Sequence, residues 1–406
     1  MQDQTILKEL ASQVREISAK PCQARKRELW RAHNSLEKTG VPVLVSMGWW
    51  DVMKNEIVPE GKLLCADPDL RGLEFDLRHK IFLDTLEEDT IIEPWLDIRA
   101  VFTVDGWGFP VNRAVSESGG AYHLIPAIAE EGDVSKLIVP AHRVDEVATR
   151  RKYEKIHDAI GDIMALNLDK SPEYKGFSGD ISYWLGQLLG IEELMYHIID
   201  RPEWLHGILA FLRDGILKVH REARKQGDWG KCAGMNQAMC YSMETVNPAI
   251  TENNVDMKQL WGFFASQEYT LISPAMHEEF LLDYQLPIME QFGLIAYGCC
   301  EDLTRKIDIL RKIPNLRRIA VSPFADVAEC VRQIERDYVL SYRPNPSYIA
   351  ETHWNPAFIA EKIRSDVYLC RDSIYDVTLK DVITVQNNPA RLLDWVKIVR
   401  EETNLI

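Results

Sequence analysis

The stretch Gly293-Leu-Ile-Ala-Tyr-Gly-Cys-Cys-Glu-Asp302 decides how the rest of the chain is interpreted. An apolar run ends in a glycine, two thiols and a carboxylate, and a helical pattern follows over residues 303–312. A strand that runs directly into a turn and a helix is typical of parallel α/β folds, where active sites collect at the carboxyl ends of strands. Side chains alternate along a strand, so Cys299 and Cys300 are predicted to point opposite ways unless the chain has left the pleat.

Further strands alternate with helical patterns on both sides of this stretch. The eight best core strands are predicted near residues 43, 175, 236, 263, 296, 320, 340 and 377. Eight strand–helix units predict a closed (β/α)8 TIM barrel. The weaker patterns predict two helices within 1–39, a strand over 98–104, a short strand over 137–139 and a long helix over 144–168. An open, doubly wound sheet is the alternative, but no Gly-x-Gly-x-x-Gly follows an early strand.

The barrel prediction assigns the whole chain, residues 1–406, to one domain. It divides that domain into N-terminal helices over 1–40, an inserted cap over about 52–145 and the main barrel over about 170–406.

Composition narrows the class of protein. The 406 residues are 46% hydrophobic and carry a net charge of −15, which is ordinary for a globular protein and argues against a nucleic-acid partner. The chain lacks an apolar run that could cross a bilayer and a signal peptide, so we expect a cytoplasmic protein without a membrane partner. In that compartment its eight cysteines are expected to be thiols or ligands.

Polar groups gather at the predicted strand ends, which would share one face of a barrel. Cys299, Cys300, Glu301 and Asp381 are candidate ligands of a zinc ion, for which three ligands and an open position would suit catalysis. Glu268, Tyr297 and Glu301 are the candidate catalytic residues. Two structural alternatives stay open: Glu268 can instead pair with Arg343, and Asp381 can instead pair with Lys380.

Other residues are candidates for substrate binding. The guanidinium of Arg343 can form a bidentate pair with a substrate carboxylate, although a structural ion pair is equally compatible with its position. His123 can donate to a substrate oxygen, or it can be a packed loop histidine. The candidates that would wall an aromatic pocket are Trp49, Trp50, Phe177 and Tyr269.

Several stretches together resemble the uroporphyrinogen decarboxylase superfamily. They are the segment 185–205 with Arg201-Pro-Glu203, Ser266-Gln-Glu-Tyr-Thr-Leu-Ile-Ser-Pro274, the segment 293–300 and Ser341-Tyr-Arg-Pro-Asn-Pro346. The resemblance covers roughly residues 170–400 and implies a (β/α)8 barrel. It also implies one of two activities, which are decarboxylation of a porphyrinogen without a cofactor and zinc-dependent methyl transfer with a corrinoid protein.

The methyltransferase branch is the closer of the two. The decarboxylases carry an arginine-rich run after the first strand, whereas this chain has Gly48-Trp-Trp-Asp-Val-Met-Lys-Asn55 there. The methyltransferases carry a His-x-Cys zinc motif; here Cys299 matches it, Tyr297 replaces the histidine, and the family's last cysteine has no match near 378–381. The zinc site would therefore be altered and would use carboxylates.

The resemblance thus implies transfer of a methyl group from a small methylated donor, such as an aryl methyl ether in O-demethylation, to a corrinoid. No histidine lies in an Asp-x-His-x-x-Gly corrinoid motif, so the corrinoid would be carried by a partner protein. A metal-free, decarboxylase-like lyase acting on an acidic substrate is the alternative activity. A homodimer is compatible with either.

Overall fold

The computed structural model shows an α/β protein built on parallel strands. It describes residues 2–46, 52–103, 106–109, 112–115, 122–128, 131–231, 237–252 and 254–405, of which 112–115, 122–124 and 131 are described by their main chain alone. The main sheet has six parallel strands in the order β1-β10-β9-β8-β7-β6. A second sheet is a parallel pair, β2-β5, and β3 and β4 form an antiparallel hairpin. The prediction of a parallel α/β fold is confirmed, but within the described residues the main sheet does not close on itself, because β1 and β6 remain its edges.

The strands are β1 Val43–Ser46, β2 Trp95–Arg99, β3 Asn112–Val115, β4 Tyr122–Ile125, β5 Ala165–Asp169, β6 Trp261–Phe264, β7 Leu294–Tyr297, β8 Leu316–Val321, β9 Val339–Tyr342 and β10 Ile374–Lys380. The described helices are α1 Gln2–Ser18, α2 Pro21–Asn34, α3 Pro68–Thr85, α4 Glu146–Ile160, α5 Ile181–Leu189, α6 Ile191–Asp200, α7 Pro202–Gln226, α8 Pro274–His277, α9 Asp283–Met289, α10 Ile307–Leu310, α11 Val327–Ile334, α12 Ser347–Ala350, α13 Pro356–Cys370 and α14 Ala390–Asn404. None of them combines the length and hydropathy of a membrane-spanning segment.

A buried polar cluster ties the helix α2 to the middle of the main sheet. Arg318 on β8 donates to the Asp376 carboxylate on β10 at 2.6 Å, and the ring of His33 on α2 contacts the same carboxylate at 3.1 Å. The Ser341 hydroxyl donates to Asp376 at 2.9 Å, and Arg318 also donates to the Asn34 side chain. Burial disfavours the charge of Asp376, but Arg318 and the hydrogen bonds outweigh it and lower the pKa of Asp376 to about 2.

The structure corrects several predicted elements. The long helix ends at Ile160, because Gly161 interrupts it, and the strand β5 follows where helix was predicted. The strand predicted over 98–104 begins three residues earlier and already ends at Arg99, as β2, inside the region assigned to a cap. The boundaries of that cap remain a prediction.

Three further strand predictions have different outcomes. Residues 174–177 form no strand, because Gly176 has a φ of +59° and a short 3-10 turn covers Gly176–Gly179. The strand over 137–139 is also wrong, since these residues leave a 3-10 helix and pair with no described strand. Of the strand near 236, residues 232–236 lie outside the described part, and residues 237–241 are not a strand; Gln237 has a φ of +61°.

Candidate active site

A tight turn after β7 places the two thiols. Gly298 has a φ of +99°, a conformation that a side chain disfavours, and it redirects the chain immediately after Tyr297. The chain has therefore left the pleat, and the Cys299 and Cys300 sulfur atoms lie 3.6 Å apart instead of pointing opposite ways. The turn therefore brings both thiols into contact at the carboxyl end of the sheet.

Lys380, the last residue of β10, bridges this pair. Its ammonium donates to Cys299 Sγ at 3.2 Å and to Cys300 Sγ at 3.0 Å, and it contacts Asp381 Oδ2 at 2.9 Å. The lysine is almost completely buried, whereas Asp381 is more than half exposed. The Lys380–Asp381 pair left open by the sequence is therefore present, and Lys380 itself is the site residue that the pattern did not single out.

The surroundings favour a thiolate on Cys299. The hydrogen bond from Cys300 contributes most to lowering the pKa of Cys299, and although burial opposes this, the charges of Lys380 and Arg343 add to it, bringing the pKa to about 6. The same hydrogen bond and burial raise the pKa of Cys300. These shifts favour a thiolate on Cys299 and a thiol on Cys300.

Glu301 and Arg343 hold the turn instead of facing the sulfur atoms. The buried Glu301 carboxylate accepts from the main-chain N–H of Ser266 at 2.6 Å and from that of Cys299 at 2.8 Å. The Arg343 guanidinium donates to the Cys299 carbonyl at 2.5 Å and more weakly to the Gly298 carbonyl. Both residues position the thiol pair through its main chain, and in the described residues Arg343 makes no ion pair with Glu268.

Glu268 and Asp180 form a second, acidic part of the site at the end of β6. Asp180, the residue that caps α5, accepts from the Ala265 N–H at 2.7 Å and from the Gln285 amide at 2.6 Å. The Ser182 hydroxyl donates to Glu268 in a short hydrogen bond. Burial is the main cause that raises the pKa of Asp180 to about 8 and also raises the pKa of Glu268. Asp180 therefore tends to hold a proton near neutral pH, and the protonated form of Glu268 is favoured relative to that of a free glutamate.

The aromatic candidates divide between the two faces of the sheet. Phe177 packs edge-on against Phe263, with ring centroids 4.9 Å apart, in the small apolar cluster that contains Cys299. Tyr297 belongs to the opposite, larger core, where its hydroxyl donates to Gln285 at 2.9 Å and contacts His277 at 3.0 Å. Tyr269 is fully buried and donates to the Phe280 carbonyl. The structure brings Phe177, and not these two tyrosines, next to the thiol pair.

Three candidates cannot be placed by side chain. Trp49 and Trp50 lie outside the described residues, and His123 is described only by its main chain on β4, paired with Ala114. Their roles in substrate binding remain predictions.

The thiol pair as it stands does not fit a zinc ion. A zinc bound by Cys299, Cys300 and Asp381 would be surrounded by their donor atoms, but the Lys380 ammonium contacts all three. Both Glu301 oxygens are already bonded to main-chain N–H groups. Across the described part of the chain, no three His, Cys, Asp or Glu side chains are grouped to hold a metal. Zinc binding therefore stays a prediction.

Replacing Gly298 by alanine is expected to destabilise the protein by at least about 2 kcal/mol. A Cβ there would lie 2.7 Å from Leu303 Cδ1 and 2.9 Å from Ala320 Cβ, in addition to the positive φ. Urea unfolding of Gly298→Ala measures the loss. The matched control is Gly207→Ala in the exposed interior of α7, where nothing lies within 4 Å of the added methyl and a small gain is expected. Equal stability of the two variants would contradict the geometry of the turn.

Comparisons with known proteins bear on the fold. No family model matches the chain, and no curated protein matches it by sequence. Among solved structures the chain is similar to a methyltransferase from Methanosarcina mazei, with a TM-score of 0.51 and 12% sequence identity. The similarity covers 93% of this chain and 97% of that one. At this level of identity it shows a shared fold over nearly the whole length of both chains.

Proposed function

We propose that this chain is a methyltransferase that moves a methyl group from a small methylated substrate, such as an aryl methyl ether, to a corrinoid carried by a partner protein. The observation that carries the proposal is the thiol pair bridged by Lys380 at the carboxyl end of the parallel sheet. The fold shared with a methyltransferase supports it. We further propose that the main sheet and the β2-β5 pair, six and two strands, belong to one (β/α)8-type barrel.

The leaving group determines what such a site must do. A methyl ether gives up its methyl group poorly, because negative charge develops on the departing oxygen. Glu268 is half-buried at the end of β6 and its raised pKa keeps a proton available, so it can act as the acid for that oxygen. In the proposal Asp180 orients the region through Ala265 and Gln285 and does not meet the substrate.

Lys380 supplies the fixed positive charge of the site. Held by two sulfur atoms and nearly excluded from water, its ammonium can stabilise a developing oxyanion, because electrostatic interactions are stronger in a desolvated site. A reduced corrinoid bound on the partner would supply the cobalt nucleophile that accepts the methyl group. The predicted zinc would compete for the place of Lys380, so metal analysis belongs to the test.

The test combines the purified chain with chemically reduced cobalamin and a panel of methoxylated aromatic compounds. We expect methylcobalamin to form, detected by its absorbance spectrum, and Glu268→Gln to slow its formation by about 100-fold, as expected for loss of a general acid. Cys22→Ser, on α2 and outside the candidate site, is the matched control and should leave the rate unchanged.

Two results would count against the proposal. Release of carbon dioxide from acidic substrates without methyl transfer would favour the lyase alternative. Metal analysis by mass spectrometry is run on the same preparation. If the protein holds one zinc per chain, and a chelator removes both the zinc and the activity, the role proposed here for Lys380 belongs to zinc.

A further inference from the structure

A cleft of about 310 Å³ opens at the amino end of the main sheet, between α2, α14 and the start of β10. It lies away from the thiol pair, since Tyr375 and Lys380 are five residues, or about 16 Å, apart along β10. Its charged lining residues are Lys38, Arg371 and Arg400, and none of the described residues that line it carries a carboxylate. In a chain with a net charge of −15, this local excess of cations is a distinct feature.

Two hydroxyl-bearing residues line the same cleft. Ser373 and Tyr375 are each more than nine-tenths buried and both line the cleft. Ser373 immediately precedes β10, and Tyr375 is the second residue of that strand. Neither hydroxyl has a hydrogen-bond partner among the described residues. Neither hydroxyl oxygen is among the fully buried, unpartnered polar atoms of the described residues, so both reach the open cleft and can donate to a ligand that enters it.

The three cationic side chains differ in how strongly they are already paired with carboxylates. Arg400 donates to the Asp89 carboxylate at 2.7 Å and to the Val41 carbonyl, so it shapes the cleft and adds little net charge. Arg371 contacts the exposed Asp372 loosely at 3.6 Å, donates to the Tyr368 carbonyl and lies over the Tyr368 ring at 4.1 Å, so no close carboxylate of the described residues neutralises its charge. Lys38 is exposed and makes no ion pair within the described residues. Two cations therefore remain available for a ligand.

We infer that this cleft binds the oxyanion group, phosphoryl or carboxylate, of a small metabolite. Ammonium, guanidinium and hydroxyl donors are what such a group requires, and charge-assisted bonds of this kind are the strong ones. Burial raises the pKa of Tyr375, so its hydroxyl stays protonated and remains a donor. The volume is sufficient for a small molecule beyond the anionic group itself.

Calorimetric titration of the full chain with pyrophosphate, inorganic phosphate and citrate in chloride buffer tests this inference. We expect saturable binding of at least one anion with one site per chain. Tyr375→Phe removes only the hydroxyl and should weaken that binding about tenfold, and the double variant Lys38→Gln/Arg371→Gln should weaken it more. Stronger binding of pyrophosphate identifies a phosphoryl site, and stronger binding of citrate identifies a carboxylate site.

Arg332→Gln is the matched control, because Arg332 is an exposed arginine of α11 outside the cleft. Its affinity should equal that of the unchanged protein. Thermal unfolding of each variant without anion separates a binding defect from a folding defect. Absence of saturable binding by all three anions, or equal affinity in the cleft variants and the control, would overturn the inference and would leave the proposed methyl transfer untouched.

Discussion

Replacing Lys380 by methionine is expected to slow the alkylation of Cys299 at pH 7 by about tenfold. The unchanged protein should show a half-maximal rate near pH 6, because the pKa of Cys299 is lowered to about 6 by Cys300 and, next among the favourable causes, by Lys380. Removing the ammonium takes away a nearby opposite charge, so the pKa rises, and less thiolate is present at pH 7. The Cys300 hydrogen bond remains and limits the effect.

The measurement is the rate of iodoacetamide labelling against pH, read at the level of the peptide by mass spectrometry. Lys380→Arg keeps the charge and should retain most of the reactivity, whereas Lys362→Met, on α13, removes a lysine away from the thiols and should change nothing. If both thiols of the unchanged protein react only after a chelator is added, a metal and not Lys380 controls them, and the expectation is wrong.

Replacing Arg318 by methionine is expected to lower the free energy of unfolding by about 3–5 kcal/mol. Arg318 and Asp376 are each almost fully buried, and methionine would leave the carboxylate without its ionic partner. The pKa of His33 is lowered by burial, so this histidine is a poor source of replacement charge near neutral pH. Urea unfolding at pH 7 measures the loss.

The matched control is Arg332→Met, which breaks the exposed Arg332–Glu329 pair and should cost less than about 1 kcal/mol. Replacing Arg318 and Asp376 together by apolar residues should recover part of the loss, because no unpaired charge is then buried. Similar stabilities of Arg318→Met and the control would show that the cluster contributes little.

The sequence predicted those parts of the fold that have a clear local pattern of apolar residues and turns. The strands β6 to β10 combine apolar runs with clear turns and helices, and each was predicted near its observed place. The strand β5 was missed because Ala165–Asp169 follows a helix after only a few residues, and its pairing with β2 is set by tertiary contact. The two glycines near Phe177 indicated a turn there, but the short apolar pattern was interpreted as a strand.

The candidate site shows the same limit. Strand ends could be located from the sequence, and Cys300 Sγ and Asp381 Oδ2, which follow two of them, lie 3.6 Å apart; their role as metal ligands stays a prediction. The contacts of Lys380 could not be predicted from its neighbours in the sequence, because the two thiols lie 80 and 81 positions away along the chain. The direction of Tyr297, into the opposite core, follows from the strand alternation that Gly298 then breaks.

The pairing of β1 with β10 also governs when the protein can fold. Val43 lies beside Val377 in the sheet, and His33 reaches Asp376 across 343 positions of the chain. Among the described strands β1 pairs with β10, so during synthesis this pairing cannot form until β10 has left the ribosome. Contacts between residues so far apart in the sequence slow folding and prolong the exposure of aggregation-prone segments. Until that pairing forms, the apolar β1 of the nascent chain stays open to non-native contacts.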